Sequence, residues 1–325
     1  MHGKNSKVTN LKEAIAKYLH NGDHISIGGF TVNRNPMAAV HEIIRSQAKN
    51  LHMYIHSNGQ GVDELIGAGC VSSLEIAYGA NGRFAPTCAR FRKSVEQGTI
   101  EIEDYTNFQM NLRFLAGAMG LPYLPCRSSL GTDIVNIWGF SEDKRKENSK
   151  LPNKKLEVQE NPFGHWAETS KVVLVPAINP DVSFIHVQMA DKEGTCRIMG
   201  LSFGDVEQAK SSKHLVVTCE ELVDTEVMRK QPEQNQIPGI YVDAVVHVPY
   251  GAYPTACHRY YDYDPIYLHE YFRDAKDDNQ NEQNRGKYVY DFEEHQELLN
   301  FVGKERLANI AADPETGYAS NLERL

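Results

Sequence analysis

The stretch HISIGGFTVNRNP, residues 24–36, decides how this chain is read. It opens as an apolar strand, His24 to Gly28, and stops on Gly28-Gly29-Phe30. A polar loop and Pro36 follow. Two glycines at a strand end mean that the backbone turns unusually there, or that something lies close against it. A phosphate, an acyl group, a second chain or a closely packed helix would each need them. The pair is not a dinucleotide fingerprint, because no Gly-x-Gly-x-x-Gly completes it.

Strand and helix alternate on both sides of this stretch. Leu11, Ile15 and Tyr18 share one helical face, and Asn10 with Glu13 has the spacing of a capping box. Asn21-Gly22-Asp23 is the stop of that helix. Asn35 and Pro36 read as the N-cap and first residue of a second helix, which carries Val40, Ile43 and Ile44. Further strands are expected at 51–57, 72–78, 171–176, 182–187, 214–219 and 244–248. A helix begins at about residue 106, where Thr106 and Gln109 form a second capping box. This repetition predicts an α/β fold with an open, mostly parallel sheet and helices on both faces. Residues 1–265 form that domain, with an exposed charged insertion at about 141–165, and 266–325 form a helical C-terminal extension. The run 273–287 is equally charged and also reads as exposed.

With 325 residues, 41% hydrophobic and 24% charged, the chain is globular. A net charge of -9 argues against nucleic acid as a partner, since phosphate binding wants a basic surface. No apolar run approaches the about 20 residues that a membrane-spanning helix needs. The N-terminus lacks the apolar core of a signal peptide, so a cytoplasmic chain is expected. Six cysteines lie far apart with no Cys-x-x-Cys, which suggests buried reduced thiols rather than a metal site or a disulfide framework.

Ligands of open α/β sheets sit beyond the C-terminal ends of the strands. Gly28, Gly29 and Phe30 follow the first strand, and Ser57 and Asn58 end the second. Asn107 falls in the first turn of the helix from 106, where free amides and the helix dipole favour an anion. Arg127 lies in the segment PCRSSLGTD, 125–133. Loop amides at Gly28-Gly29 would add donors for an oxyanion. An ordinary turn at 57–61, a solvated asparagine and a surface arginine would leave the same pattern. His186 and His247 read as hydrogen-bonded core residues, and Glu220-Glu221 as a cap for a following helix. There is no Gly-x-Ser-x-Gly elbow, P-loop or His-Glu-x-x-His. The residues describe an oxyanion-binding α/β domain that lacks an obvious nucleophile.

NGDHISIGGFTVNRNP, 21–36, resembles the first signature of family I coenzyme A transferases: Asp, an apolar strand, Gly-Gly-Phe, a short loop and Pro. The likeness continues through LIGAGCVSSL (65–74), FRKSVEQGTIEIEDY (91–105), GLPYLP (120–125), VTCEELV (217–223) and IPGIYVDAVVHVPYGAYPTACHRYYDYD (237–264). It implies the fold of that family and its chemistry, in which a glutamate attacks an acyl-CoA thioester and becomes a glutamyl-CoA thioester. That glutamate belongs to a Ser-Glu-Asn-Gly motif on the beta chain, and no such motif occurs here. The resemblance therefore implies the alpha-type, non-nucleophilic subunit of a hetero-oligomer of alpha-beta pairs, partnered by a beta subunit. Its substrates would be an acyl-CoA and a short dicarboxylate such as glutaconate, with no cofactor besides the CoA thioester and no metal. By the same resemblance Ser57-Asn58 matches a substrate-side Ser-Asn-Asn-Ala-Gly segment. At 107 related transferases carry Gln. A branch of CoA-ester ring-opening hydrolases carries a functional Glu there, and an Arg matching Arg127. Membership of such a hydrolase is the alternative, and a non-enzymatic effector-binding domain a more distant one.

Overall fold

The strand that ends in Gly28-Gly29 is the middle of a sheet. The computed structural model describes residues 6–164, 169–320 and 322, so residue 165 of the expected insertion lies outside the described residues. The strands are β1 (His24–Ile27), β2 (Leu51–Asn58), β3 (Val71–Gly79), β4 (Glu101–Asp104), β5 (Tyr123–Cys126), β6 (Glu157–Glu160), β7 (Lys171–Pro176), β8 (Val182–Asp191), β9 (Cys196–Arg197), β10 (His214–Val223) and β11 (Ala244–His247). The helices are α1 (Leu11–Tyr18), α2 (Met37–Arg45), α3 (Gln60–Gly67), α4 (Ala89–Gln97), α5 (Asn107–Ala118), α6 (Glu142–Glu147), α7 (Asp205–Ser211), α8 (Thr225–Lys230), α9 (Pro265–Asp274), α10 (Asp278–Arg285), α11 (His295–Val302) and α12 (Lys304–Ile310).

The main sheet runs β11-β10-β8-β1-β2-β3-β4, all parallel, with β9 antiparallel on β8. From β1 the chain winds outward through β2, β3 and β4, then returns to lay β8, β10 and β11 on the other side. The order reverses between β1 and β8, and that reversal leaves a crevice at the carboxyl ends of those strands. Apolar side chains of α1, α2 and α3 close one face around Ile25, Met53, Ile55 and Leu74. Phe114 and Met110 of α5 pack with Tyr54 and with Val173 and Val175 of a second sheet.

That second sheet corrects one expectation. The strand at 171–176 forms as read, but it pairs antiparallel with β5 and β6 rather than joining the parallel sheet. A short apolar run carries no record of its partner. Asn35 is a second correction. The helix starts at Met37 with Pro36 at the cap position, and Asn35 instead braces the loop. Its amide donates to the carbonyls of Thr31 and Asn33, and its Oδ1 accepts from the amide of Gly61. Glu220 and Glu221 do not cap a helix but lie within β10, and His247 is exposed at the end of β11. His186 is a core residue as expected, fully buried between Thr218 and Glu220.

Most side chains of the charged stretches are exposed, as expected, but several are not. Arg145 is buried against Glu103, and Lys155 is fully buried with its ammonium 2.9 Å from Asp104. Residues 278–285 form α10, where Asn281 and Asn284 are buried and Asn284 donates to Asp274 at 3.0 Å. In each case a buried polar side chain finds a specific partner, which composition does not reveal. The C-terminal helices pack back on the sheet domain, where Tyr267 and Tyr271 donate to Glu64 and Asp63 of α3.

A buried polar layer crosses the sheet beneath α5. The His24 and His52 rings stack at 4.1 Å, His24 Nδ1 meets the Tyr54 hydroxyl at 2.7 Å, and His52 meets Glu75, which also pairs with Arg113. Burial, then the neighbouring His52, pushes the His24 pKa down to about 3. Burial, then His41, does the same to His295, also to about 3. Both imidazoles are neutral when folded and protonate near 6.5 when unfolded, so their stabilisation is complete above pH 6.5 and lost as pH falls toward 3. Burial would raise Glu75, but Arg113 and His52 outweigh it and hold it at about 2, so its contribution is lost from pH 4.5 downward. Asp63 opposes them: burial lifts it to about 6, and it returns stability as pH falls from 6 to 3.8. The melting temperature should therefore fall as pH drops from 6.5 toward 4. The double variant His24→Gln, His295→Gln should abolish that fall above pH 4.5, leaving the opposite trend from Asp63, as read by thermal unfolding at a series of pH values.

Candidate active site

Four loops meet at the crevice. The backbone leaves β1 through Gly28 and turns at Gly29, whose φ of +86° is one that L side chains rarely adopt. Asn58, at the end of β2, is buried and donates from Nδ2 to the carbonyl of Gly28 at 3.1 Å. Its Oδ1 accepts from the amide of Val62, so Asn58 ties the β1 loop to α3. Beside it Ser57 Oγ donates to Oδ1 of Asn107 at 2.7 Å, which joins β2 to the head of α5. Thr106 caps α5 by accepting from the Gln109 amide, and Gln109 returns the bond in the expected capping box. Thr106 also meets the hydroxyl of Ser128 at 3.1 Å, which brings in the fourth loop.

The sequence candidates thus divide. Gly28, Gly29, Ser57, Asn58 and Asn107 form one bonded group, and Phe30 lies against it with its ring 5.7 Å from that of His56. Arg127 is exposed and stands one step away, in an open groove that it shares with Phe108, Tyr123 and Phe163. The loop amides are not the oxyanion donors that the glycines suggested. Gly28 donates to the carbonyl of Phe184, Gly29 to Asp205 Oδ1, and Phe30 to the carbonyl of Asn33. Each donor is consumed inside the chain. Asn107, by contrast, is exposed at the head of α5, with its Oδ1 held by Ser57.

Reading the residues in order missed three participants. Arg34 and Asp205 form a pair at 2.5 Å that is 3% and 0% exposed. His56, also buried, has its Nε2 3.3 Å from Nδ2 of Asn111. Burial lowers its pKa, with Asp205 pulling the other way. Spatial proximity distinguishes these residues: Arg34 lies within the stretch 21–36, but nothing in the sequence joins it to Asp205. His186, Glu220 and Cys257 also converge, with ligand atoms within 4.8 Å of one another. Both Glu220 oxygens are already taken there, by His186, the Tyr261 hydroxyl and the Tyr250 amide. All six cysteines are free thiols, and Cys126 is the one that is not buried. Among the described residues no helix is long and apolar enough to cross a membrane.

The crevice at the switch point of this parallel α/β sheet thus carries a carboxylate, Asp205, that is held on both oxygens inside the chain. Residues 8–248 match the coenzyme A transferase family, and the chain belongs to it. Over 313 residues it is 42% identical to the alpha-type chain of glutaconate CoA-transferase from Acidaminococcus fermentans, covering 96% of this chain and 97% of that one. The crystal structure of that glutaconate coenzyme A-transferase superposes with a TM-score of 0.92 at 41% identity, covering 97% of this chain and 98% of the solved one. The corresponding chain of 3-oxoadipate CoA-transferase from Pseudomonas knackmussii is 30% identical over 292 residues, 84% of this chain and 95% of its own. Within the family this chain is thus of the alpha type.

Proposed function

We propose that this chain is the alpha-type, non-nucleophilic subunit of a heteromeric acyl-CoA:carboxylate CoA-transferase in the cytoplasm. Its acid substrate is a short dicarboxylate, glutaconate foremost, and it uses no cofactor besides the CoA of its substrate. The observation that carries this reading is the Ser57–Asn107 contact at the head of α5, in a rim whose carboxylate cannot attack. The likeness to the alpha-type chains of two CoA-transferases supports it.

A glutamate of the beta partner attacks the thioester carbonyl and expels CoA thiolate, leaving an acyl-glutamyl anhydride. The thiolate then attacks the glutamyl carbonyl and releases the first acid, and the acceptor acid reverses both steps. Negative charge gathers on the carbonyl oxygen only near the tetrahedral state. Donors fixed in advance therefore stabilise the transition state more than the ground state. Ser57 fixes Asn107 in this way, since its hydroxyl occupies Oδ1 and leaves the NH2 to the substrate. Arg127, in the adjoining groove, supplies positive charge for the far carboxylate of a diacid. A hydrolase of the ring-opening type would need a base at 107, and a carboxamide cannot take up the proton.

In the assembled enzyme Asn107→Ala should lower kcat by roughly 10- to 1,000-fold, the scale of losing one such donor. Asn107→Glu should lower it further, because a carboxylate there repels an anionic substrate. Steady-state transfer from acetyl-CoA to glutaconate checks both variants. Wild-type kinetics in the two would mean that Asn107 is a solvated helix residue and that the rim lies elsewhere.

A further inference from the structure

The Arg34–Asp205 pair reaches the loop, the neighbouring strand and the opposite wall of the crevice at once. Asp205 opens α7, and both its oxygens are used: Oδ1 accepts from the Gly29 amide at 2.9 Å and Oδ2 from Arg34 at 2.5 Å. Arg34 also donates to the carbonyl of His186 at 2.9 Å and of Leu201 at 3.1 Å. The loop 28–34 is thereby fastened to the segment 201–205. The two segments meet again where the ring of Phe30 stacks on Phe203 at 4.7 Å and 11°. Thr31, Arg34 and Phe203 all hold positive φ, near 50°, a conformation that persists only where the surroundings enforce it. A buried ion pair is a poor route to stability, since two apolar residues often do as well. What this pair supplies is direction.

Phe30 has the rings of both His56, the neighbour of Ser57, and Phe203 against it. Its ring also walls a cleft of about 340 Å³, with Phe203, Met199, Leu201, His258 and Tyr318 around it. One aromatic ring thus touches both this cleft and His56, the residue next to Ser57. We propose that Asp205 and Arg34 are positioning residues that hold Phe30 as the end wall of the acyl site, so that preference for small acyl groups depends on this pair. The proposal rests on the transferase reading above. Releasing the loop lets the ring swing aside and joins the cleft to the acyl site, which then admits a longer apolar chain.

The test uses the chain assembled with its partner and two variants. Asp205→Asn keeps the acceptor for Gly29 but removes the charge. The double variant Arg34→Met, Asp205→Leu leaves no stranded charge and so keeps a folded protein available if the single one fails. In the double variant, amide exchange of the peptide spanning 28–34, followed by mass spectrometry, should quicken by about 100-fold as a local opening becomes easy. The kcat/KM for acetyl-CoA should fall, while the ratio of hexanoyl-CoA to acetyl-CoA rises by about tenfold, within the range that chain-length discrimination by an apolar pocket spans. Asp205→Asn should shift both in the same direction by less. Unchanged exchange would overturn the role of the pair. Faster exchange with an equal loss for both acyl-CoAs would make it structural only and overturn the wall. If the wild-type assembly transfers no CoA, the transferase reading fails, and the exchange result still decides whether the pair holds the loop.

Discussion

Purified without a beta partner, the chain should transfer no CoA, a loss on the order of 10⁴-fold or more, the scale seen when an enzyme loses its nucleophile. The physical reason lies in Asp205. It is the carboxylate beneath the loop, and a carboxylate whose two oxygens are held by Arg34 and the Gly29 amide is neither free to move nor nucleophilic. Adding the partner should restore exchange between an acyl-CoA and a free acid. The surface beside the rim supports the same view. Phe108, Tyr123 and Phe163 are 56%, 48% and 82% exposed along the groove that holds Arg127, more aromatic surface than a solitary chain usually shows to water. Permanent interfaces commonly bury more than about 2,000 Å², so the isolated chain should also tend to aggregate. Assays with and without the partner, beside sedimentation of each mixture, check both parts. Robust transfer by rigorously partner-free chain would sink the proposal.

Gly29→Ala should be nearly as damaging. The turn needs φ of +86°, and a side chain in that region costs about 1–3 kcal/mol by itself. The added carbon would also stand 2.5 Å from the Arg34 carbonyl oxygen and 2.6 Å from that of Asn33. Both are backbone atoms, so the loop must shift as a whole rather than let one side chain yield. That shift draws the Gly29 amide away from Asp205 and moves Phe30. In the assembled enzyme we expect turnover to drop by about 1,000-fold, as for the loss of a full set of positioning contacts, while the sheet stays folded. Circular dichroism together with transfer assays separates the two. The strand-end glycines are thus needed for a close approach within the chain, since the clash is with its own carbonyls and not with an incoming acyl group.

Much of this architecture is legible in the letters. The periods of apolar residues mark β1, β2, β3 and α5, and Thr106 with Gln109 marks where α5 begins. The loops after β1, β2 and β4 could be placed at one rim because parallel sheets put such loops at one end. The pairing of β7 was not legible, because strand partners are set by distant segments. Nor was the fate of the Gly29 amide, which depends on Asp205, 176 residues away. A glycine pair shows that something approaches closely. It does not show whether that is a ligand or the chain's own side chains. The charged segments misled for a related reason: Arg145 and Lys155 read as solvated until Glu103 and Asp104 are placed beside them.

Those two side chains belong to a wider covering of β4, the outermost strand of the main sheet. Gly139 fits against the carbonyl of Ile102 so tightly that a side chain there would overlap it, and the amides of Gly139 and Phe140 donate to Glu103. Lys144 reaches back to Glu101 and Ser73. At the far border, the backbone around Lys7 to Thr9 pairs with Val245 of β11. An open parallel sheet offers unsatisfied backbone at both margins, an invitation to add strands from neighbouring molecules without end. Here one margin is shielded by a charged strap and the other by an early length of the same chain. Growth of the sheet into fibrils is thereby blocked on both sides, and the assemblies that remain open to the protein are those built through its other surfaces.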